Sequence, residues 1–248
     1  MNILFLAAGT SGRILKISKG KPKPLIKVNG RSILSRNYNW FVKSKLISKY
    51  FINAYFKPKE IHKEVKKIKL KYKISTKISY ENELLGTAGA VKKLQKQLGK
   101  IFFVVYSDNL MNFDLNKMVA YHKKKKADFT MALYSIKQNP YTGIASSSIK
   151  INKSNKIISF DEKRGSKGSS KFLVNTGVII LNSKIYKFIK KNKFTDFSNE
   201  VFPNVVKNKK LKFYGYQIEQ NNGYCLAIDT PDTYKNFLKI IKRIDLIN

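Results

Sequence analysis

The sequence predicts an α/β fold with a mostly parallel central sheet, helices on both faces and a smaller β-rich part toward the C-terminus. Three observations support this. Through the first 106 residues, short apolar runs alternate with segments of helical spacing, the order of a sheet wound with crossover helices. The runs at 2–8 and 101–106 are almost wholly apolar, as strands buried on both faces must be. From 128 onward the alternation gives way to short strand-like runs separated by turn residues.

Each element follows from its residues. Asn2 to Ala8 reads as a buried strand, ended by Gly9. A polar loop comes next, Gly9-Thr10-Ser11-Gly12-Arg13, and then Lys21-Pro22-Lys23-Pro24-Leu25, where the prolines enforce extended backbone. Ser32 to Leu46 has helical spacing, Tyr50 to Phe56 is a strand, Ile61 to Ile68 a short lysine-rich helix, and Lys73 to Tyr80 a strand. Gly86 to Leu98 reads as helix and Ile101 to Tyr106 as strand, with Asp108 just past its end. In the back half, strands are expected at 128–136, 144–151, 156–160, 172–181, 211–218 and 224–229. Helices are expected at 185–191, 199–206 and 233–244, and a mobile loop at Gly165 to Ser170. The expectation is one domain over 1–248, with a wound front half at 1–127 and a β-rich back half at 128–248.

Composition narrows the partners. Hydrophobic residues make up 43% of 248, enough for a packed core. The formal charge is +35, from 50 Lys+Arg against 15 Asp+Glu, which by itself suggests a polyanionic partner. The cations are mostly lysines spread over the whole chain, with no Arg-rich stripe interleaved with aromatics, so a compositional bias is favoured and no nucleic-acid partner is expected. Lys123 to Lys126 is the densest cluster, placed where a helix ends and cations suit the dipole. A lone Cys225 with His62 and His122 cannot form an intrachain disulfide and is too sparse for a zinc site. No run approaches the roughly 20 apolar residues of a membrane span, and no basic lead precedes the first apolar run, so a cytoplasmic setting is expected.

Several residue groups can carry chemistry. A glycine-containing loop after a buried strand lets backbone N–H groups approach phosphates, and Arg13 and Lys23 add two cations. The dinucleotide fingerprint and the Walker pattern are both absent. Glycines in Leu85-Gly86-Thr87-Ala88-Gly89 open a helix start to a flat base. Asp108, ending an apolar strand, suits Mg²⁺, which takes few carboxylates and keeps its waters. Each of these groups also has a plain structural reading as turn, cap or surface cation.

Together the motifs resemble those of the sugar-phosphate nucleotidyltransferases, from residue 2 to about 240. Leu6-Ala7-Ala8-Gly9-x-x-x-Arg13 with Pro22-Lys23-Pro24-Leu25 is similar to the family's signature, with Ser11-Gly12 standing where Gly-Thr is usual. The resemblance implies a Rossmann-like, glycosyltransferase-A-like domain. It implies that Ala7, Ala8, Gly9, Thr10, Ser11 and Gly12 wrap a nucleoside triphosphate, that Arg13 and Lys23 are catalytic, and that Leu85, Gly86 and Thr87 meet the base and ribose. Ser107-Asp108 resembles the family's Gly-Asp, a Mg²⁺ ligand. Tyr141-Thr142-Gly143, Glu162-Lys163 and Asn175-Thr176-Gly177 resemble its acceptor motifs, which gives Gly143, Glu162, Lys163, Asn175 and Gly177 to a phosphorylated sugar. In Ala227-Ile228-Asp229-Thr230-Pro231, Asp229 is the second metal candidate, displaced by two residues from the family position.

The activity implied by the resemblance is transfer of a nucleotide from a triphosphate to a sugar 1-phosphate, with release of pyrophosphate, for surface polysaccharide or glycoconjugate synthesis. Asp196-Phe197-Ser198 and Val201-Phe202-Pro203 resemble relatives that use GTP and a manno-configured sugar. Ile228-Asp229-Thr230 keeps a cytidylyltransferase for phosphocholine open. A basic polyanion binder and an inactive regulatory relative are the readings from other classes.

Overall fold

The computed structural model describes residues 1–135, 147–161, 173–191, 193–219, 223–228 and 230–244, without the side chains of 13 and 242–244. Strands β1 (Asn2–Leu6), β2 (Lys27–Val28) and β3 (Arg31–Ser32) precede helix α1 (Ile33–Lys43). Next come β4 (Lys49–Ala54), α2 (Pro58–Tyr72), β5 (Thr76–Tyr80), α3 (Gly86–Lys93), α4 (Gln95–Leu98), β6 (Ile101–Tyr106) and β7 (Leu110–Phe113). The back half holds α5 (Leu115–Lys124), β8 (Phe129–Ser135), β9 (Ser148–Ile151), β10 (Ile157–Asp161), β11 (Leu173–Asn182), α6 (Phe202–Lys207), β12 (Phe213–Gln217), β13 (Gly223–Leu226) and α7 (Pro231–Ile244). The loop expected at Gly165 to Ser170 lies outside the described residues.

Among the described residues one nine-stranded sheet runs β10-β9-β11-β6-β1-β4-β5, with β8 and β12 joined to it through β11. Strands β6, β1, β4 and β5 are parallel, and β11 lies antiparallel to β6. The expected winding is present: β1, β4 and β5 build outward on one side, and β6 returns to the other flank of β1. That reversal opens a crevice beyond the carboxyl ends of β1 and β6.

Alternate residues of each central strand feed opposite faces. Ile3 and Phe5 enter one buried cluster with Tyr38 and Phe41 of α1, while Leu4 enters another with Ala88 and Val91 of α3. The Phe5 and Tyr38 rings stack at 4.2 Å. A third cluster joins Ile14 and Ile26 to Leu226, Phe237 and Ile241, so α7 packs beneath the loop after β1.

The helix ends follow local chemistry. Ser32 accepts from the Ser35 amide at 3.0 Å and starts α1. The lysine-rich α2 runs about a turn further than expected at each end, from Pro58 to Tyr72. The helix expected at 86–98 is interrupted at Leu94, and 185–191 holds a 3₁₀ turn at Ser183–Phe188. At 199–206, a π turn at Phe197–Val201 runs into α6. The 123–126 lysines do fall at a helix end, that of α5. Local periodicity gave no sign of the β2–β3 hairpin or the β7–β13 pair. No helix among the described residues is long and apolar enough to cross a membrane.

Candidate functional site

The loop after β1 turns sharply at Ser11, whose backbone φ of 62° is left-handed. A side chain there costs about 1–2 kcal/mol, which explains why glycine is usual at this place. The Ser11 hydroxyl offsets part of this cost by accepting the Lys23 amide at 2.9 Å. One hydrogen bond therefore joins the glycine loop to the Pro22–Leu25 segment. A Cβ built at Gly9 or Gly12 would meet nothing within 4 Å. The protein leaves these positions open, as a phosphate cradle requires.

Lys23 reaches across this opening. Its Nζ lies 3.6 Å from Oδ2 of Asp108, which stands just beyond β6. Both groups line a cavity of about 380 Å³ with Gly9, Thr10, Ser11 and Gly12. Residues 85 positions apart in the chain thus meet at one strand-end crevice. Arg13 lies in the short turn Gly12–Ile14, and its side chain is outside the described residues.

A second cavity of about 260 Å³ shares Leu6, Gly9 and Asp108 and continues toward β4 and β5, where Asn53, Gly86, Thr87 and Phe194 line it. Its floor is tied together by buried polar groups. The Asn53 carbonyl accepts from Ala7 N at 2.7 Å, and its amide donates to Glu81 at 2.8 Å. The other Glu81 oxygen accepts from Leu85 N at 3.1 Å. The loop after β1 and the start of the Leu85–Gly89 segment are therefore positioned by a shared strut.

The Leu85–Gly89 segment docks onto residues distant in sequence. Ala88 N and Gly89 N donate to the Thr195 carbonyl, and Thr195 N donates to the Leu85 carbonyl. Gly86 has φ +75°, and an added Cβ would lie 2.5 Å from the Thr195 oxygen. The close approach that its missing side chain permits is made by this backbone, while Gly86 and Thr87 still edge the cavity. The Thr87 hydroxyl donates to Asp196 and accepts from Phe197 N, both at 2.8 Å. The other Asp196 oxygen caps the turn after it through Ser198 N and Asn199 N. Asp196 therefore braces the cavity wall.

On the other flank, the Asn175 side chain accepts from Gly177 N at 2.8 Å, within the irregular stretch of β11. Gly177 has φ +85°, and an added Cβ would strike the Tyr106 Cβ at 2.7 Å. Asn109 donates to the Thr176 carbonyl at 3.1 Å, holding this stretch beside Asp108. Gly143, Glu162, Lys163 and Asp229 lie outside the described residues.

The carboxylate and the open glycine loop fit one hard cation held together with phosphates. Among the described residues no group of three or more His, Cys, Asp or Glu could form an all-protein metal cage. His122 is buried against Thr130, and burial lowers its pKa, an effect that nearby Asp128 opposes. The cavity of about 510 Å³ between α3 and Lys191 and Lys193 has neither the glycine loop nor Asp108 in its lining.

Asn53, Glu81, Phe194 and Thr195 were missed in the sequence. Only Glu81 left a trace there, as a polar residue at the end of a strand-like run.

The chain has similar proteins both in sequence and in fold. Over 241 residues the chain is 27% identical to a D-glycero-alpha-D-manno-heptose 1-phosphate guanylyltransferase of Aneurinibacillus thermoaerophilus, covering 96% of this chain and 97% of that one. It is 25% identical to a mannose-1-phosphate guanyltransferase of Aspergillus oryzae, over 96% of this chain and 62% of that longer protein. Its fold matches HddC from Yersinia pseudotuberculosis complexed with GMP-PN, with a TM-score of 0.75, 22% identity and coverage of 96% and 99%. Residues 2–220 match the family described as Nucleotidyl transferase, and the chain belongs to that family.

Proposed function

We propose that the chain transfers a nucleoside monophosphate from a triphosphate to a sugar 1-phosphate and releases pyrophosphate. GTP and a manno-configured sugar, mannose or manno-heptose 1-phosphate, are the substrates, in keeping with the relatives' names. The observation that carries this reading is the meeting of Lys23 and Asp108 across the open Gly9–Gly12 loop. The half at 1–127, with the Phe194–Asp196 segment docked against it, holds the nucleotide, and the rest of the half at 128–248 holds the acceptor.

An acceptor phosphate oxygen attacks the α-phosphorus in line. The new P–O bond forms as the bond to the β-phosphate oxygen breaks, and pyrophosphate leaves. The loop amides from Ala8 to Gly12 bind the departing phosphates, while Lys23 and Arg13 offset the charge that grows on them. Asp108, with Asp229 as second ligand, would hold Mg²⁺, which supplies Lewis-acid neutralisation of phosphate charge when bound. Asn175, Gly177, Gly143 and Glu162 orient the sugar, and Lys163 meets its phosphate. Positioning accounts for the remaining acceleration.

Pyrophosphate release, measured for GTP, CTP, UTP and dTTP against mannose 1-phosphate, manno-heptose 1-phosphate and phosphocholine, tests the reading. GTP with a manno-configured acceptor should give the fastest turnover. Asp108→Asn should remove several kcal/mol of barrier lowering, about a thousandfold in rate, with thermal unfolding little changed. A fully active Asp108→Asn variant would discard the assignment.

A further inference from the structure

We propose that Phe194 is a stacking platform for the nucleobase, and so an affinity-determining residue of the nucleotide site; the proposal rests on the nucleotidyl-transfer reading. Phe194 is 58% exposed, a large apolar surface left in water. It lines the 260 Å³ cavity, within which Gly9 and Asp108 mark the phosphate end.

The backbone beside the ring is fixed. Thr195, the next residue, exchanges three backbone hydrogen bonds with Leu85, Ala88 and Gly89. Asp196 is held by the Thr87 hydroxyl at 2.8 Å. Phe194 is thus presented by an anchored segment at the cavity edge, so little backbone ordering remains to be done on binding.

Topology decides which ligand the ring meets. The sheet order β11-β6-β1-β4-β5 places β11, with Asn175 and Gly177, on one side of β6. Phe194 belongs to the opposite flank, because Thr195 is bonded to the segment after β5. A triphosphate whose phosphates lie on the β1 loop extends its nucleoside along the cavity toward Asn53, Gly86 and Phe194. A flat, apolar-faced base fits an exposed aromatic ring there by stacking.

The test is direct binding of a non-hydrolysable GTP analogue, together with steady-state kinetics, for wild type, Phe194→Ala, Phe194→Leu and Phe194→Tyr. Phe194→Ala should weaken analogue binding about tenfold and raise the KM for GTP in parallel. Its kcat should stay within about threefold and its KM for the sugar 1-phosphate within about twofold. Tyrosine should restore binding, and leucine, which keeps apolar area without a plane, should restore only part of it. If the acceptor KM rises while analogue affinity holds, the ring covers the sugar and the proposal falls. Unchanged affinity in Phe194→Ala also overturns it, with the nucleotidyl-transfer reading intact. A wild-type protein that binds no triphosphate overturns that reading and this proposal together.

Discussion

A single residue shows how a departure from a familiar pattern can be compensated locally. Ser11 occupies a left-handed position, where glycine carries no side-chain penalty. Its hydroxyl is useful there because the Lys23 amide needs an acceptor. Ser11→Gly relieves strain and loses that hydrogen bond, two terms of about 1 kcal/mol and opposite sign. Ser11→Ala keeps the strain and still loses the bond. Urea unfolding should therefore rank serine and glycine close together, with alanine about 1–2 kcal/mol below both. An alanine variant as stable as wild type would show that the hydroxyl contributes nothing. Gly12, with open space around its missing Cβ, should accept threonine without loss of stability. The swapped order Ser11-Gly12 was visible in the sequence. Its compensation was not, because the partner amide lies 12 residues away, beyond the turn at Gly12–Ile14 and Pro22.

At the scale of elements, three strand ends meet in the Asn53–Glu81 strut, which links the loop after β1, the end of β4 and the loop after β5. Both side chains are buried, so each mismatched polar contact costs about 1–3 kcal/mol. Asn53→Asp sets two carboxylates face to face, and Glu81→Gln sets two amide groups face to face. The double variant exchanges the roles. The new carboxylate at position 53 would accept from both Ala7 N and the new amide at position 81, whose carbonyl would still accept from Leu85 N. Each single variant should lose stability by thermal unfolding, and the double should regain most of it. Losses that simply add would mean that the two residues act independently. Strand existence was legible in the chain because buried runs such as Ile101–Tyr106 have few alternatives. The pairings were less so. Insertion of β11 beside β6, the β7–β13 pair and the docking of Thr195 against Gly86 join segments far apart in sequence, and periodicity carries no record of partners. For the same reason Phe194, in a stretch without periodic pattern, gave no sign that it would edge the crevice.

For the whole molecule, charge is the dominant fact. With 50 basic and 15 acidic side chains, even complete pairing would leave 35 cations unmatched. The ion pairs Lys23–Asp108, Lys57–Glu60 and Lys184–Asp128 relieve only local repulsion. Folding draws the remaining charges together, so the compact state carries more self-repulsion than the expanded chain. Salt screens this repulsion, with a Debye length that shrinks from about 30 Å at 0.01 M to about 8 Å at 0.15 M. The melting temperature should therefore rise by several degrees over that range, opposite to a protein held together by surface ion pairs. Nucleotide capture should move the other way. A triphosphate is steered toward the Lys23 crevice by the same positive field, so association slows and KM rises as salt is added. Opposed trends in stability and affinity, measured by thermal unfolding and initial rates in one NaCl series, are the expected signature. If stability fell together with affinity, attractive pairs would outweigh the net repulsion, and the fold would depend on the few carboxylates far more than their number suggests.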